Sequence, residues 1–229
     1  MEIGGVRLIN IGIEIEKDFP IDTIHVAINL EGRKDTKEEC TSEYNRLLEA
    51  IKDSLEDAGI PRDEIKNGSY RVSTHTERLY VKDEDGDYYV AASELRGYEY
   101  SASMTLERPY SDDEAKRIWI ALVECGGEVE FYISFNLADE DAARSTLLAE
   151  AVAEGRKRAD VLATAAGASL AGIHTITYEY GRGGGYRYDA LCAPSGPSSN
   201  PGFSTPDFNP ADETIERRVD MQWRLELAE

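Results

Sequence analysis

The run from Leu147 to Gly167 limits what this chain can fold into more than any other stretch. Apolar or small residues fall at Leu148, Ala151, Val152, Gly155, Ala159, Leu162, Ala163 and Ala166. Steps of three and four place them along one face of a 3.6-residue helix. Most of that face is alanine and glycine. Small side chains let a helix axis approach its neighbouring layer closely, so the run predicts a tightly packed central helix. The opposite face carries Glu150, Glu154, Arg156, Lys157, Arg158 and Asp160, including the i,i+4 pairs Glu154–Arg158 and Arg156–Asp160. Asp139 stands where an N-cap opens such a helix, and Gly167 where a left-handed C′ glycine closes it.

The remaining chain alternates between periods of two and 3.6. Val6 to Ile15 reads as a strand and so do Ile24, Val26, Ile28 and Leu30. Their closeness across Phe19-Pro20 predicts an antiparallel hairpin. Thr36-x-x-Glu39 is a capping box that opens a helix with the stripe Tyr44, Leu47, Leu48, Ile51 and Leu55, closed at Gly59. Strands are expected over 67–81 and 94–106, joined by the turn residues Asp83 to Asp87. Ser111-x-x-Glu114 is read as a second capping box, ahead of Ala115, Ile118, Trp119, Leu122 and Val123. Val129, Phe131, Ile133 and Phe135 alternate as a strand, Ile173 to Tyr180 follows the central helix, and Ile215, Val219, Met221, Trp223 and Leu225 mark a last strand over 213–227. Between them, 181–210 is rich in Gly, Pro and Ser and reads as a loop or linker. The expected fold is α+β, with mostly antiparallel sheets packed by three helices. Residues 1–229 are read as a single domain, in which two strand–helix–strand units hint at two lobes.

The pattern Ala151-x-x-x-Gly155-x-x-x-Ala159-x-x-Leu162-Ala163-x-x-x-Gly167-x-x-Leu170-x-Gly172, followed by a strand reaching Tyr178-Glu179, resembles the signature of the SIMPL domain family. Thr36 to Gly59-Ile60 is similar to that family's first helix and its exit. Arg96-Gly97-Tyr98-Glu99-Tyr100-Ser101-Ala102-Ser103 resembles its Gly-Tyr-x-Ala-Ser strand. The resemblance spans nearly the whole chain. It departs at Leu147 and Gly155, where alanine is usual, and at Arg158, where lysine is usual. The family includes YggE-like bacterial oxidative-stress defence proteins, a periplasmic immunogenic protein and a mammalian kinase-interacting protein. The resemblance therefore implies a SIMPL-like fold, a link to stress defence and a tendency to assemble.

Composition narrows the partners. Asp and Glu number 45 against 25 Lys and Arg, for a net charge of −20 and a pI near 4.5. That field repels phosphate backbones and anionic lipid surfaces, so nucleic acid is not an expected partner. No stretch approaches about 20 apolar residues, and no membrane span is expected. The first ten residues lack a basic start, an apolar centre and a small-residue cleavage site. The sequence as written is thus expected to be cytoplasmic; a signal removed before expression would place the protein in the periplasm or cell envelope. Cys40, Cys125 and Cys192 are odd in number and lack CxxC spacing, which leaves a disulfide framework unsupported.

Candidate chemistry is sparse. Asp83, Asp85, Asp87 and Glu94 sit at offsets 1, 3, 5 and 12, but Tyr88 occupies offset 6, where a calcium loop needs glycine. Gly181-Arg-Gly-Gly-Gly185 follows a strand but precedes no helix and brings no Walker lysine. His25, His75 and His174 are expected on strands, where they could meet Cys40 or Cys125 at a metal, yet they lack the short paired spacings of zinc ligands. There is no GxSxG elbow, and 45 carboxylates guarantee chance pairs. No catalytic, cofactor-binding or metal residue is assigned, and no cofactor is expected. The aromatic pattern says more. Tyr80, Tyr88, Tyr89, Tyr98 and Tyr100 group on the central hairpin, and Tyr178, Tyr180, Tyr186 and Tyr188 near the linker. Amphipathic rings suit interfaces as well as sheet packing. The expected function is therefore non-enzymatic binding or assembly, as a homo-oligomer. An adaptor docking a protein partner through the acidic surface or 181–210, and a metal-dependent enzyme, remain the alternatives.

Overall fold

The computed structural model describes residues 7–82, 88–126, 129–178 and 205–227, apart from the side chains of 82, 88, 89 and 91. Two compact units emerge. Among the described residues, one is assembled from three segments, those within 1–21, 137–186 and 211–229; the other from those within 22–136 and 187–210.

In the first unit, strands β1 (Leu8–Phe19), β6 (Ala168–Tyr178) and β7 (Glu213–Leu227) form a sheet in the order β1-β7-β6, antiparallel throughout. Helix α3 (Glu140–Ala165) covers one face, capped at its start by Asp139 Oδ1, which accepts from Ala142 N at 2.7 Å. The helix buries Leu147, Ala151, Gly155, Ala159 and Ala163, and the core beneath includes Ile11, Ile13, Val219, Met221 and Trp223. Gly155 is the point of closest approach. A Cβ there would overlap Met221 Cε and crowd Ile13 Cγ1 at 3.2 Å. Gly167, with φ +68, ends the helix as expected.

The buried line runs in steps of four, narrower than the face expected from the sequence. Since 3.6 residues make a turn, four-residue steps drift around the axis. Leu162 is therefore 50% exposed and Ala166 is exposed as well, although both fit the helical pattern. On the outer face Arg158 bonds Glu154 at 2.9 Å, whereas Arg156 and Asp160 form no ion pair.

In the second unit, β2 (Thr23–Lys34), β3 (Lys66–Lys82), β4 (Tyr88–Pro109) and β5 (Glu130–Asn136) form a sheet in the order β3-β4-β2-β5. The expected β1–β2 hairpin does not form. β1 pairs with β7 and β2 with β4 and β5, in separate sheets. Closeness in sequence suggested the hairpin, but each strand gains its hydrogen bonds from partners far along the chain. Ile24, Val26, Ile28 and Leu30 are fully buried, each removal from water contributing about 1.5–3 kcal/mol. Helices α1 (Lys37–Asp57) and α2 (Asp112–Glu124) supply Cys40, Leu47, Leu48, Ile51, Leu55, Ala115, Ile118 and Leu122 to the same core. Phe208 also packs there, and its carbonyl accepts from the Tyr110 hydroxyl at 3.0 Å.

The two capping sequences differ in outcome. Thr36 and Glu39 make the full reciprocal box at the start of α1. At α2, Ser111 Oγ accepts from Glu114 N at 3.1 Å, but the Glu114 carboxylate turns inward. It takes Arg108 Nε at 3.0 Å and pairs with Arg117, while Arg108 Nη1 holds Glu64 at 2.7 Å. Glu114 is buried, and a buried carboxylate is stable only when paired, so two guanidinium groups outcompete a backbone amide.

The Gly155 contact makes a quantitative prediction. Replacing glycine in a helix raises intrinsic propensity by about 1 kcal/mol, yet overpacking costs about 1–3 kcal/mol. Gly155→Ala should lower stability slightly and Gly155→Leu by about 3 kcal/mol. Met221→Ala should relieve part of the Gly155→Ala cost in a double-mutant cycle followed by urea unfolding.

Candidate functional site

The longest hairpin outruns its sheet. β2 pairs with β4 from Tyr98 to Pro109. Farther out, residues 75–82 of β3 and 88–97 of β4 pair with each other alone among the described residues. Val72 and Tyr98 face the core at the inner end. Strand alternation carries that face outward through Thr76, Arg78 and Tyr80, opposite Leu95, Ser93 and Val90. Leu95 is 56% exposed, Tyr80 57% and Val90 46%; on the other face Leu79 and Val81 are also exposed. The ribbon thus presents large apolar side chains on both faces. Arg96 braces it, bonding Glu77 at 2.7 Å and Glu94 at 3.1 Å.

The tyrosines expected to cluster on this hairpin divide between two environments. Tyr98 and Tyr100 turn into the core. The Tyr100 ring lies over Gly32, where any Cβ would meet it at 2.6 Å, and burial, then the nearby Glu43 charge, pushes its phenol up. Tyr80 stays on the surface. Tyr88 and Tyr89 contribute backbone to the ladder. Tyr178 is exposed at the end of β6, while Tyr180, Tyr186 and Tyr188 lie outside the described residues. Sequence reading singled out the tyrosines and missed Leu79, Val81, Val90 and Leu95. The available signal was the break in alternation, with apolar residues in both phases of one strand.

The histidines do not gather. His25 faces Glu107 at 3.4 Å and His75 faces Glu99 at 3.8 Å, where Ser73 Oγ also donates at 3.2 Å. His174 lies on β6, in the other unit. Cys40 is buried, with its thiol 3.6 Å from the Tyr98 carbonyl. The Cys125 thiol donates to Leu122 O at 3.1 Å, and burial pushes its pKa up, away from the thiolate that reacts. Among the described residues no three His, Cys, Asp or Glu side chains are placed to hold a metal ion. Asp83, Asp85, Asp87, Gly181 to Gly185 and Cys192 lie outside the described residues, and Glu94 is engaged by Arg96. No described helix is long and apolar enough to cross a membrane.

Residues 10–223 match the profile of SIMPL, protein of unknown function (DUF541). The chain belongs to the SIMPL family. A comparison with curated proteins gives no match. The SIMPL signature now has a physical content. Ala151 and Ala159 lie in the helix–sheet contact on either side of Gly155, where this chain departs from the usual alanine, and Gly167 makes the turn out of α3. Gly97 has φ +132, and a Cβ there would lie 2.6 Å from Lys34 O. These are packing and backbone requirements, spread over both units of the SIMPL chain.

One electrostatic feature stands apart. On the face of the three-stranded sheet away from α3, Glu216 of β7 lies directly opposite Glu16 of β1, with Glu14 two residues along. A hydrogen bond to Glu14 and the charges of Glu14 and Glu16 hold the Glu216 carboxyl above the usual carboxylate range. A raised pKa means that the folded protein binds this proton more tightly than the unfolded chain. The stabilising contribution is present at low pH and is lost as pH rises through the carboxylate range. Glu216→Gln should therefore raise the melting temperature at neutral pH, and the gain should shrink on acidification and in high salt. Thermal unfolding across pH checks this; a gain independent of pH would show that carboxylate repulsion is not its cause.

Proposed function

We propose that this SIMPL protein acts by self-assembly, with the ribbon formed by residues 75–82 and 88–97 as a contact surface. The observation that supports it most is the exposure of Leu79, Tyr80, Val81, Val90 and Leu95 on a two-stranded ribbon. An isolated two-stranded ribbon is marginal in water, and apolar side chains on both of its faces are the composition of a surface that another layer covers. Membership of the SIMPL family, in which the sequence resemblance places stress-defence proteins, supports a role in oxidative-stress defence. The buried Cys40 and the raised pKa of the half-buried Cys125 thiol favour binding or assembly over thiol chemistry at those two residues.

Light scattering on the full chain should give a multimer whose mass holds at high salt, because the contact is apolar. The variant Tyr80→Ser/Val90→Ser/Leu95→Ser should drop to a smaller species while keeping its circular dichroism. A chain that remains monomeric at high concentration overturns assembly and leaves docking of a different protein partner as the reading to pursue.

A further inference from the structure

The molecule has four sheet edges among its described residues, and three of them are blunted. The β3–β4 pairing breaks register three times, once through an extra residue on β3 itself, and β6 carries two extra residues against β7. Such bulges turn an edge away from further pairing. β5 is short, at 7 residues. The fourth edge is β1, 12 residues in unbroken register with β7 and containing no proline. A long, regular edge strand is a template for another strand.

The backbone indicates which groups it offers. Leu225 N donates to Arg7 O at 2.9 Å, so Arg7 and every second residue after it face β7. In an antiparallel ladder the alternate residues point the other way. Leu8, Asn10, Gly12, Glu14 and Glu16 therefore turn their N–H and C=O groups to the free edge.

We infer that this edge receives β1 of a second copy, antiparallel about a two-fold axis through Gly12. The sequence of β1 is self-complementary in that register. On the helix-covered face Ile11 meets the partner's Ile13, and Ile9 meets the partner's Ile15. Ile9 and Ile15 are the half-buried isoleucines of the strand, so pairing completes their burial. On the other face Asn10 meets the partner's Glu14, and Leu8 meets the partner's Glu16. No carboxylate of β1 directly faces another, which matters beside a carboxylate cluster already crowded at Glu14, Glu16 and Glu216. Lys17 comes opposite the partner's Arg7, but Glu150 already neutralises Lys17 at 2.8 Å. A two-fold, isologous contact of this kind closes on itself and joins two three-stranded sheets into one of six. It deepens the assembly reading while using a surface separate from the ribbon.

Asn10→Pro tests it. The Asn10 N–H points away from β7, so proline there removes an outward donor and no ladder bond within the chain. In the full chain the solution mass should fall, and in the Tyr80→Ser/Val90→Ser/Leu95→Ser background it should halve from dimer to monomer, with the melting temperature at low protein concentration unchanged. To guard against a folding defect, Asn10→Cys/Glu14→Cys on a Cys192→Ser chain should yield a covalent dimer under mild oxidation. A multimer whose mass ignores Asn10→Pro, with no covalent dimer, overturns the edge contact and leaves ribbon assembly standing. A full chain that is monomeric throughout overturns both. A monomer destabilised by Asn10→Pro shows an edge covered from within the same chain, and also overturns the inference.

Discussion

The close contact of α3 with β1 and β7 is the constraint from which the rest of the architecture follows. β1 opens the described chain and β7 closes it, and the whole of 22–136 is inserted between β1 and α3. Closing so long a loop is entropically costly, and the return must come from tight packing at the join. Ala151, Gly155 and Ala159 provide it by letting the helix sit directly on Ile11, Ile13, Val219 and Met221. A helix with bulkier residues on this line would stand off the sheet. The SIMPL signature is thus centred on the place where the two chain ends are bound into one unit.

Much of this was legible in the sequence. The alternation of Ile24, Val26, Ile28 and Leu30, the Thr36–Glu39 cap and the glycine stops at Gly59 and Gly167 are local signals, and local chemistry decides them. Strand pairing is not local. Phe19-Pro20 looked like a hairpin turn, and nothing nearby revealed that β1 would find β7 some two hundred residues away. Glu114 shows the same limit. Its spacing from Ser111 satisfied the capping pattern, but the fold buries its carboxylate beside Arg108, and with Arg117 one turn along α2 that guanidinium offered it a stronger partner. On α3, Leu162 obeyed the helical period and still lies exposed, because helix drift across a sheet depends on the sheet.

The proposed contact surface was half legible. Tyrosine content drew attention to the central hairpin, yet Tyr98 and Tyr100 serve the core, and the exposed ribbon owes more to Leu79, Val81, Val90 and Leu95. Sequence periodicity separates buried from exposed faces only where a strand has one of each. An apolar ribbon with both faces uncovered breaks that logic and reads as noise until the pairing is known. The acidic composition fits the same reading. A net charge of −20 keeps copies apart at long range, so a contact between them would have to be apolar and backbone-mediated, as those proposed at the ribbon and the β1 edge are.

Hydrogen exchange across the ribbon amides, measured at low and high protein concentration, tests assembly most directly. An uncovered two-stranded ribbon opens readily and exchanges fast, whereas one sandwiched between copies is held closed. Protection at residues 77–81 and 90–95 should grow with concentration while the α3 amides stay unchanged. Fast exchange along the ribbon at every concentration would contradict it.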